Sequence, residues 1–287
     1  MNTLREAYRN AQTEGVALGH FNISDSTQLT GIAQAAQALD LPVVIGVSDG
    51  EGGFLGISQT RALVDAARDA YGIPIFLNRD HAHTVDDCKA AIDAGFDSVI
   101  FDGVKLALED NIEKTKEVVA YARASGRDVL VEAELGYIGT SSALLDDVPD
   151  DVVFDSLPSD EDAANFVAAT GIDALAPAVG NLHGMLKGRS NPALNIDLIS
   201  KMRSALPETA LVLHGGSGIT DEDFKAAISA GMNCVHINTE IRVAYRKGIE
   251  NGLAADAEQV APYKYLNYGR DAVAEVVTNR LRLFSNQ

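Results

Sequence analysis

Eight short apolar runs, each followed by a stretch with helical spacing, constrain this chain more than any other feature of its sequence. The runs are Val16 to Phe21, Val43 to Val47, Ile75 to Leu77, Ser98 to Phe101, Val129 to Glu132, Ala174 to Ala178, Leu211 to Leu213 and Cys234 to Ile237. Helical patterns occupy Ser26 to Leu39, Gln59 to Ala70, Val85 to Ala94, Asn111 to Ala124, Asp160 to Thr170, Ile196 to Ala205 and Asp221 to Ala230. Apolar runs without alternation are strands buried on both faces, and helices between them demand parallel pairing. Eight such units in 287 residues fit a closed (β/α)8 barrel, a TIM barrel, better than an open sheet. No GxGxxG is present, so the doubly wound dinucleotide fold lacks its best marker. Gly15, Gly72, Gly95, Gly126, Gly171 and Gly231 each lie between a helical pattern and the next strand, where a left-handed cap is wanted. Arg242 to Gly252 and Asp271 to Leu283 read as closing helices, and residues 1–287 as a single barrel domain.

Composition narrows the function. With 46% hydrophobic and 22% charged residues, and no apolar run near the roughly 18 residues of a membrane span, the chain reads as globular. Its start has neither the basic residues nor the apolar stretch of a signal peptide, which places it in the cytoplasm. The formal net charge of -18 repels nucleic acid and acidic membranes, so neither is an expected partner. Cys88 and Cys234 form no CxxC motif and read as reduced packing residues.

The third strand ends abruptly, Ile73-Pro-Ile-Phe-Leu-Asn-Arg-Asp-His-Ala-His-Thr84. Two readings compete: Asp80 as a helix cap with surface histidines, or Asp80 as a general acid/base beside a metal-ligating His81. The other histidines favour the second. His20, His81, His83, His183, His214 and His236 all fall at or just beyond carboxyl ends of strands, the face where barrel enzymes build their sites. His81, His183 and His214 can supply three imidazoles to zinc, with His83 a weaker candidate. In Glu132-Ala-Glu134 both carboxylates share a strand face, and Glu134 is a fourth ligand or a partner behind one. For phosphate, His214-Gly-Gly-Ser-Gly-Ile-Thr-Asp-Glu222 puts a glycine-rich turn before a helix capped by Thr220, and Asn238-Thr-Glu240 opens the helix after strand eight. Lys187 adds a nearby positive charge.

These residues resemble the class II, metal-dependent ketose-bisphosphate aldolases. The similarity runs nearly end to end, through Gly19-His-Phe-Asn22, Val47-Ser48, Asp80-His81, Phe101-Asp-Gly103, Val131-Glu-Ala-Glu-Leu-Gly136, Gly180-Asn-Leu-His-Gly184, Leu213-His-Gly-Gly-Ser-Gly218 and Asn238-Thr-Glu240. It implies that His81, His183 and His214 bind zinc, with Glu134 an alternative or outer ligand. It also implies that Asp80 handles the proton on the hydroxyl that becomes the aldehyde. Gly184, Lys187, Gly215, Ser217 and Thr239 would hold the phosphate half and Asn238 would contact substrate, while Asn22 and Ser48 would lie toward the aldehyde. The expected reaction is cleavage of a ketose phosphate, foremost fructose 1,6-bisphosphate to dihydroxyacetone phosphate and glyceraldehyde 3-phosphate, through a metal-stabilised enediolate. Tagatose 1,6-bisphosphate, another aldehyde partner or a sugar-phosphate binder without catalysis are the alternatives, as is a lysine Schiff-base aldolase using Lys105 or Lys187. A monovalent cation is left open, and a homo-oligomer, dimer or tetramer, is expected.

The sequence departs from the family in three places. A glutamate usual after strand five is absent from Gly139-Thr-Ser-Ser-Ala-Leu-Leu-Asp-Asp-Val-Pro-Asp-Asp151, leaving Asp146, Asp147 and Asp150 as substitutes. His236 stands where an asparagine usually contacts substrate. Ala261-Pro-Tyr-Lys264 has Tyr263 in place of an arginine that serves the distal phosphate, with Lys264 beside it.

Overall fold

The computed structural model describes residues 3–287. Its strands are β1 (Leu18–Asn22), β2 (Val43–Val47), β3 (Ile75–Ala82), β4 (Ser98–Phe101), β5 (Leu130–Leu135), β6 (Leu144–Leu145), β7 (Ala174–Pro177), β8 (Met185–Leu186), β9 (Ala210–Leu213) and β10 (Cys234–Ile237). Eight of them close a barrel in the order β1-β10-β9-β7-β5-β4-β3-β2, while β6 and β8 form a separate pair. All barrel pairs are parallel, as the buried apolar runs require. The six glycines expected between helices and strands all adopt positive φ.

Four local differences from the sequence reading have physical causes. Helix Leu4–Glu14 precedes β1, its Thr3 side chain accepting from the Glu6 amide 3.2 Å away. It buries Leu4, Ala7, Tyr8 and Ala11, the one-face spacing of a helix, against Leu18, Val44, Phe76, Leu130, Val212 and Cys234 inside the barrel. A leucine-sized side chain buried so contributes roughly 1.5–3 kcal/mol, which seals the amino-terminal end of the barrel. Asp49–Leu55, glycine-rich and unremarked in the sequence, is a helix because Ser48 and Glu51 form a capping box. The last helix begins at Pro262, a residue preorganised for a first turn, and not at Asp271.

The fourth difference matters most. β3 does not stop at Leu77 but runs to Ala82, with a register shift against β4 between Arg79 and Ala82. His81 has φ 49, left-handed backbone that a non-glycine residue holds at a cost of roughly 1–3 kcal/mol. Side chains of a regular strand alternate between faces, so Asp80 and His81 would point apart. The irregularity turns both into the same cleft.

Candidate active site

A cleft of ≈ 220 Å³ opens at the carboxyl end of the barrel, with Asp80, His81, His183 and Asn238 in its walls. His81, His183 and His214 each offer a ring nitrogen, and these atoms lie within 4.8 Å of one another. The ring centroids are 4.8 Å apart for His81 and His183, 5.0 Å for His81 and His214, and 6.0 Å for His183 and His214. His183 Nδ1 donates to the Gly139 carbonyl at 2.7 Å, which leaves Nε2 as its lone-pair nitrogen. His214 Nε2 donates to Glu132 Oε1 at 2.8 Å, which leaves Nδ1. That Nδ1 is buried without a hydrogen bond and lies 3.4 Å from Glu134 Oε1, which is likewise unpartnered. Glu134 Oε1 also lies 2.7 Å from His81 Nδ1. His214 Nδ1 and Glu134 Oε1, unpaired beside the His81 and His183 rings, suit a divalent cation, because a buried acceptor without a donor otherwise costs about 1–3 kcal/mol.

The charges around this cluster are strongly coupled. Burial opposes an imidazolium at His214, yet Glu134 and Glu132 outweigh it and raise its pKa to about 10. At His81 burial is likewise overridden, by Asp80 and Glu134, and the pKa rises well above the ordinary value. At His183 burial and then the charge at His81 outweigh the pull of Glu134 and lower the pKa to about 4. Burial would raise the pKa of Asp80, but the His81 charge and the nearby His236 imidazole hold it well below the usual range. Asp80 is therefore a carboxylate.

Asp80 is held asymmetrically. Its Oδ2 accepts from Asn22 Nδ2 at 2.8 Å, while buried Oδ1 has no hydrogen bond. Oδ1 lies 3.7 Å from His81 Nε2 and 3.6 Å from His236 Nδ1. The cap of the following helix is Thr84, whose side chain accepts from the Asp87 amide, so Asp80 has no capping role. Behind it, His20 and His236 stack at 3.4 Å with 4° between their planes, and His236 stacks on His214 at 4.1 Å. Burial lowers the pKa of His20 to about 4 and that of His236 well below its usual value, which permits neutral rings to stack. Gly46 makes room, since a Cβ there would sit 2.1 Å from His20 Cε1.

The model of the family described as "Fructose-bisphosphate aldolase class-II" matches residues 2–287. The chain belongs to the class II fructose-bisphosphate aldolase family. It is 36% identical over 289 residues to "Fructose-bisphosphate aldolase" of Geobacillus stearothermophilus, covering 99% of this chain and 96% of that one. A protein of the same name from Staphylococcus aureus (strain N315) is also 36% identical, over 98% of this chain and 96% of its own length. Among solved structures, the YdjI aldolase from Escherichia coli K12 superposes with TM-score 0.79 at 28% identity, covering 98% of this chain and 96% of that chain. The chain is thus a class II aldolase, a lyase, and the metal-dependent family implies a sugar-phosphate substrate.

Within this aldolase, Asn22, Gly184, Gly215, Ser217, His236, Asn238 and Thr239 surround a hollow adjoining the cleft. Gly215 (φ +63) could not carry a side chain, because a Cβ would lie 2.3 Å from the Leu182 carbonyl oxygen. Thr239 begins a helix that aims its amino terminus at this hollow, a favourable place for an anion. Ser48 lines the cleft but not this hollow.

Lys187 is not brought to the site. Leu186 of β8 turns inward, 4% exposed, so strand alternation sends Lys187 outward, where it pairs with Asp146 at 2.8 Å. Asp147 pairs with Arg189 and Asp150 is exposed; none of these aspartates lines the cleft, whereas Thr140 and Ser142 of the same loop do. Tyr263 is 71% exposed and, with Lys264, also lies away from it. Lys105 is exposed, and no lysine lines either hollow among the described residues, so a desolvated Schiff-base lysine is not found there. His83, half exposed at the rim, keeps to Asp102.

Two residues were not anticipated. Glu51 is buried, its Oε2 accepting from Asn22 Nδ2 at 2.8 Å and from the Ser48 amide and hydroxyl at 2.9 and 2.8 Å. The spacing Ser48-Asp-Gly-Glu51 was its available signal, that of a capping box. Arg242 Nη2 donates to Glu51 Oε1 at 2.6 Å. A cation in the first turn of a helix, where the backbone dipole disfavours it, was the sign of Arg242.

Proposed function

We propose that this chain is a zinc-dependent aldolase that interconverts fructose 1,6-bisphosphate with dihydroxyacetone phosphate and glyceraldehyde 3-phosphate. The observation that supports it most is the unpartnered pair His214 Nδ1 and Glu134 Oε1, set among His81 and His183 and beside the free oxygen of Asp80. His81, His183 and His214 would hold the ion, with Glu134 a fourth ligand or the partner that orients the rings. Nitrogen-rich donors with one carboxylate suit zinc. When bound, the ion supplies positive charge for the anion left as the carbon-carbon bond breaks, worth several kcal/mol.

The chain's own groups do the rest. Asp80 Oδ1 takes the proton from the hydroxyl on the aldehyde side; that oxygen forms the carbonyl, and the carbon-carbon bonding pair passes to the dihydroxyacetone half. Asn22 keeps Oδ2 occupied, so the proton goes to Oδ1. Gly184, Gly215, Ser217, Asn238 and Thr239 hold the donor phosphate at the helix amino terminus, and His236 faces the substrate from behind Asp80. Ser48 lies toward the aldehyde. A cytoplasmic homo-oligomer belongs to the same reading.

The test is Asp80→Asn. Zinc content should stay at the wild-type level while cleavage falls roughly 10²- to 10⁴-fold, the usual worth of a general base. Undiminished cleavage would refute the role. Metal-loaded wild-type protein that binds dihydroxyacetone phosphate but exchanges none of its carbon-bound protons with solvent would be a binder.

A further inference from the structure

The cleft has unlike ends. One is the hollow of Gly184, Gly215, Ser217 and Thr239; the other is walled by Ser48, Asp49, Gly50 and Arg242. Among the described residues lining the two, Arg242 alone carries a lysine or arginine charge. Asp49 and Asp102 share its cleft and the chain carries -18 overall, so an anion meets no other lysine or arginine there.

Arg242 is also built into place. Its Nη2 donates to Glu51 at 2.6 Å and its Nη1 to the Ser142 carbonyl at 3.3 Å. A guanidinium has five N–H donors, so most remain for a ligand. Glu51 is 5% exposed at its side chain and Arg242 40%, which presents the cation to the cleft on a buried support. Glu51 is itself fixed through Asn22, whose amide bridges it to Asp80 with 2.8 Å to each carboxylate. The positive charge and the proton acceptor therefore share one rigid hydrogen-bonded frame. A loose surface arginine would show none of these contacts.

We infer that Arg242 binds the phosphate at the far end of the aldehyde half, and so makes this aldolase select phosphorylated aldehydes over neutral ones. The inference rests on the aldolase reading above and names the specificity residue within it. Fructose 1,6-bisphosphate and fructose 1-phosphate differ only in that phosphate, which makes them the test pair. In Arg242→Gln, kcat/KM for the bisphosphate should fall at least tenfold, mostly through KM, and for the monophosphate less than threefold. Arg242→Lys should regain part of the loss, since a point charge replaces a fork. Equal losses on both substrates, or an unchanged bisphosphate, would overturn the assignment. Wild-type enzyme that cleaves both equally well would sink this inference alone, whereas wild-type protein that cleaves neither would sink the aldolase reading with it.

Discussion

The two ends of the barrel are made by the same eight strands and differ in what they leave unpaired. At the amino-terminal end Leu18, Val44, Phe76, Leu130 and Cys234 meet the plug of Leu4, Ala7, Tyr8 and Ala11, an apolar layer with little to titrate. At the carboxyl end His20 Nδ1, Asp80 Oδ1, Glu134 Oε1, His214 Nδ1, His236 Nε2 and Asn238 Oδ1 are all buried without hydrogen bonds. Unpaired buried polar atoms cost stability, and the strained backbone at His81 adds to that cost. The apolar end offsets it. One fold thus separates the residues that hold it together from those that act.

That division can be broken by substitution at each end. The largest effect is expected for His214→Ala, which removes an imidazole from the cation cluster and leaves Glu132 without its partner. Zinc retention should be lost and cleavage should fall by roughly three orders of magnitude or more, since several kcal/mol correspond to such a factor. Metal content by atomic absorption, beside the cleavage rate, checks it; full zinc occupancy with normal turnover would dissolve the contrast between the ends. At the other end, Phe76→Ala should lower unfolding free energy by about 3–5 kcal/mol. Below its melting midpoint the variant should keep zinc and activity per folded molecule, and their loss would show that the ends are coupled. The smallest effect is expected for Lys187→Ala. An exposed pair with Asp146 is worth at most about 1 kcal/mol, so stability and KM should change little. A tenfold rise in KM would return Lys187 to the phosphate site and shift the boundary of the functional end.

Much of this was legible in the chain. The eight apolar runs correspond to the barrel strands, and the positive-φ glycines lie where helix ends need them. Parallel strands buried on both faces are mostly apolar, so their pattern is local. The histidines were legible by position, as they sit toward or beyond the carboxyl ends of the strands. The pairing of Glu51 with Arg242 was not, because it spans 191 residues and depends on where two helix starts meet. Lys187 failed for a similar reason: proximity in sequence to His183 does not say which way a short strand turns its side chains.

By itself, the sequence determined the repeat of strand and helix, the polar carboxyl ends of the strands and the residue types that could hold a metal, because burial and propensity act over a few neighbours. Only the tertiary structure decided that Asp80 and His81 face the same cleft, through a bulge at a non-glycine residue that periodicity cannot foretell. It also decided which oxygen of Asp80 is free and that Arg242 lines the cleft. Hydrogen bonds between distant segments are set by closure of the barrel, and closure is a property of all eight strands at once.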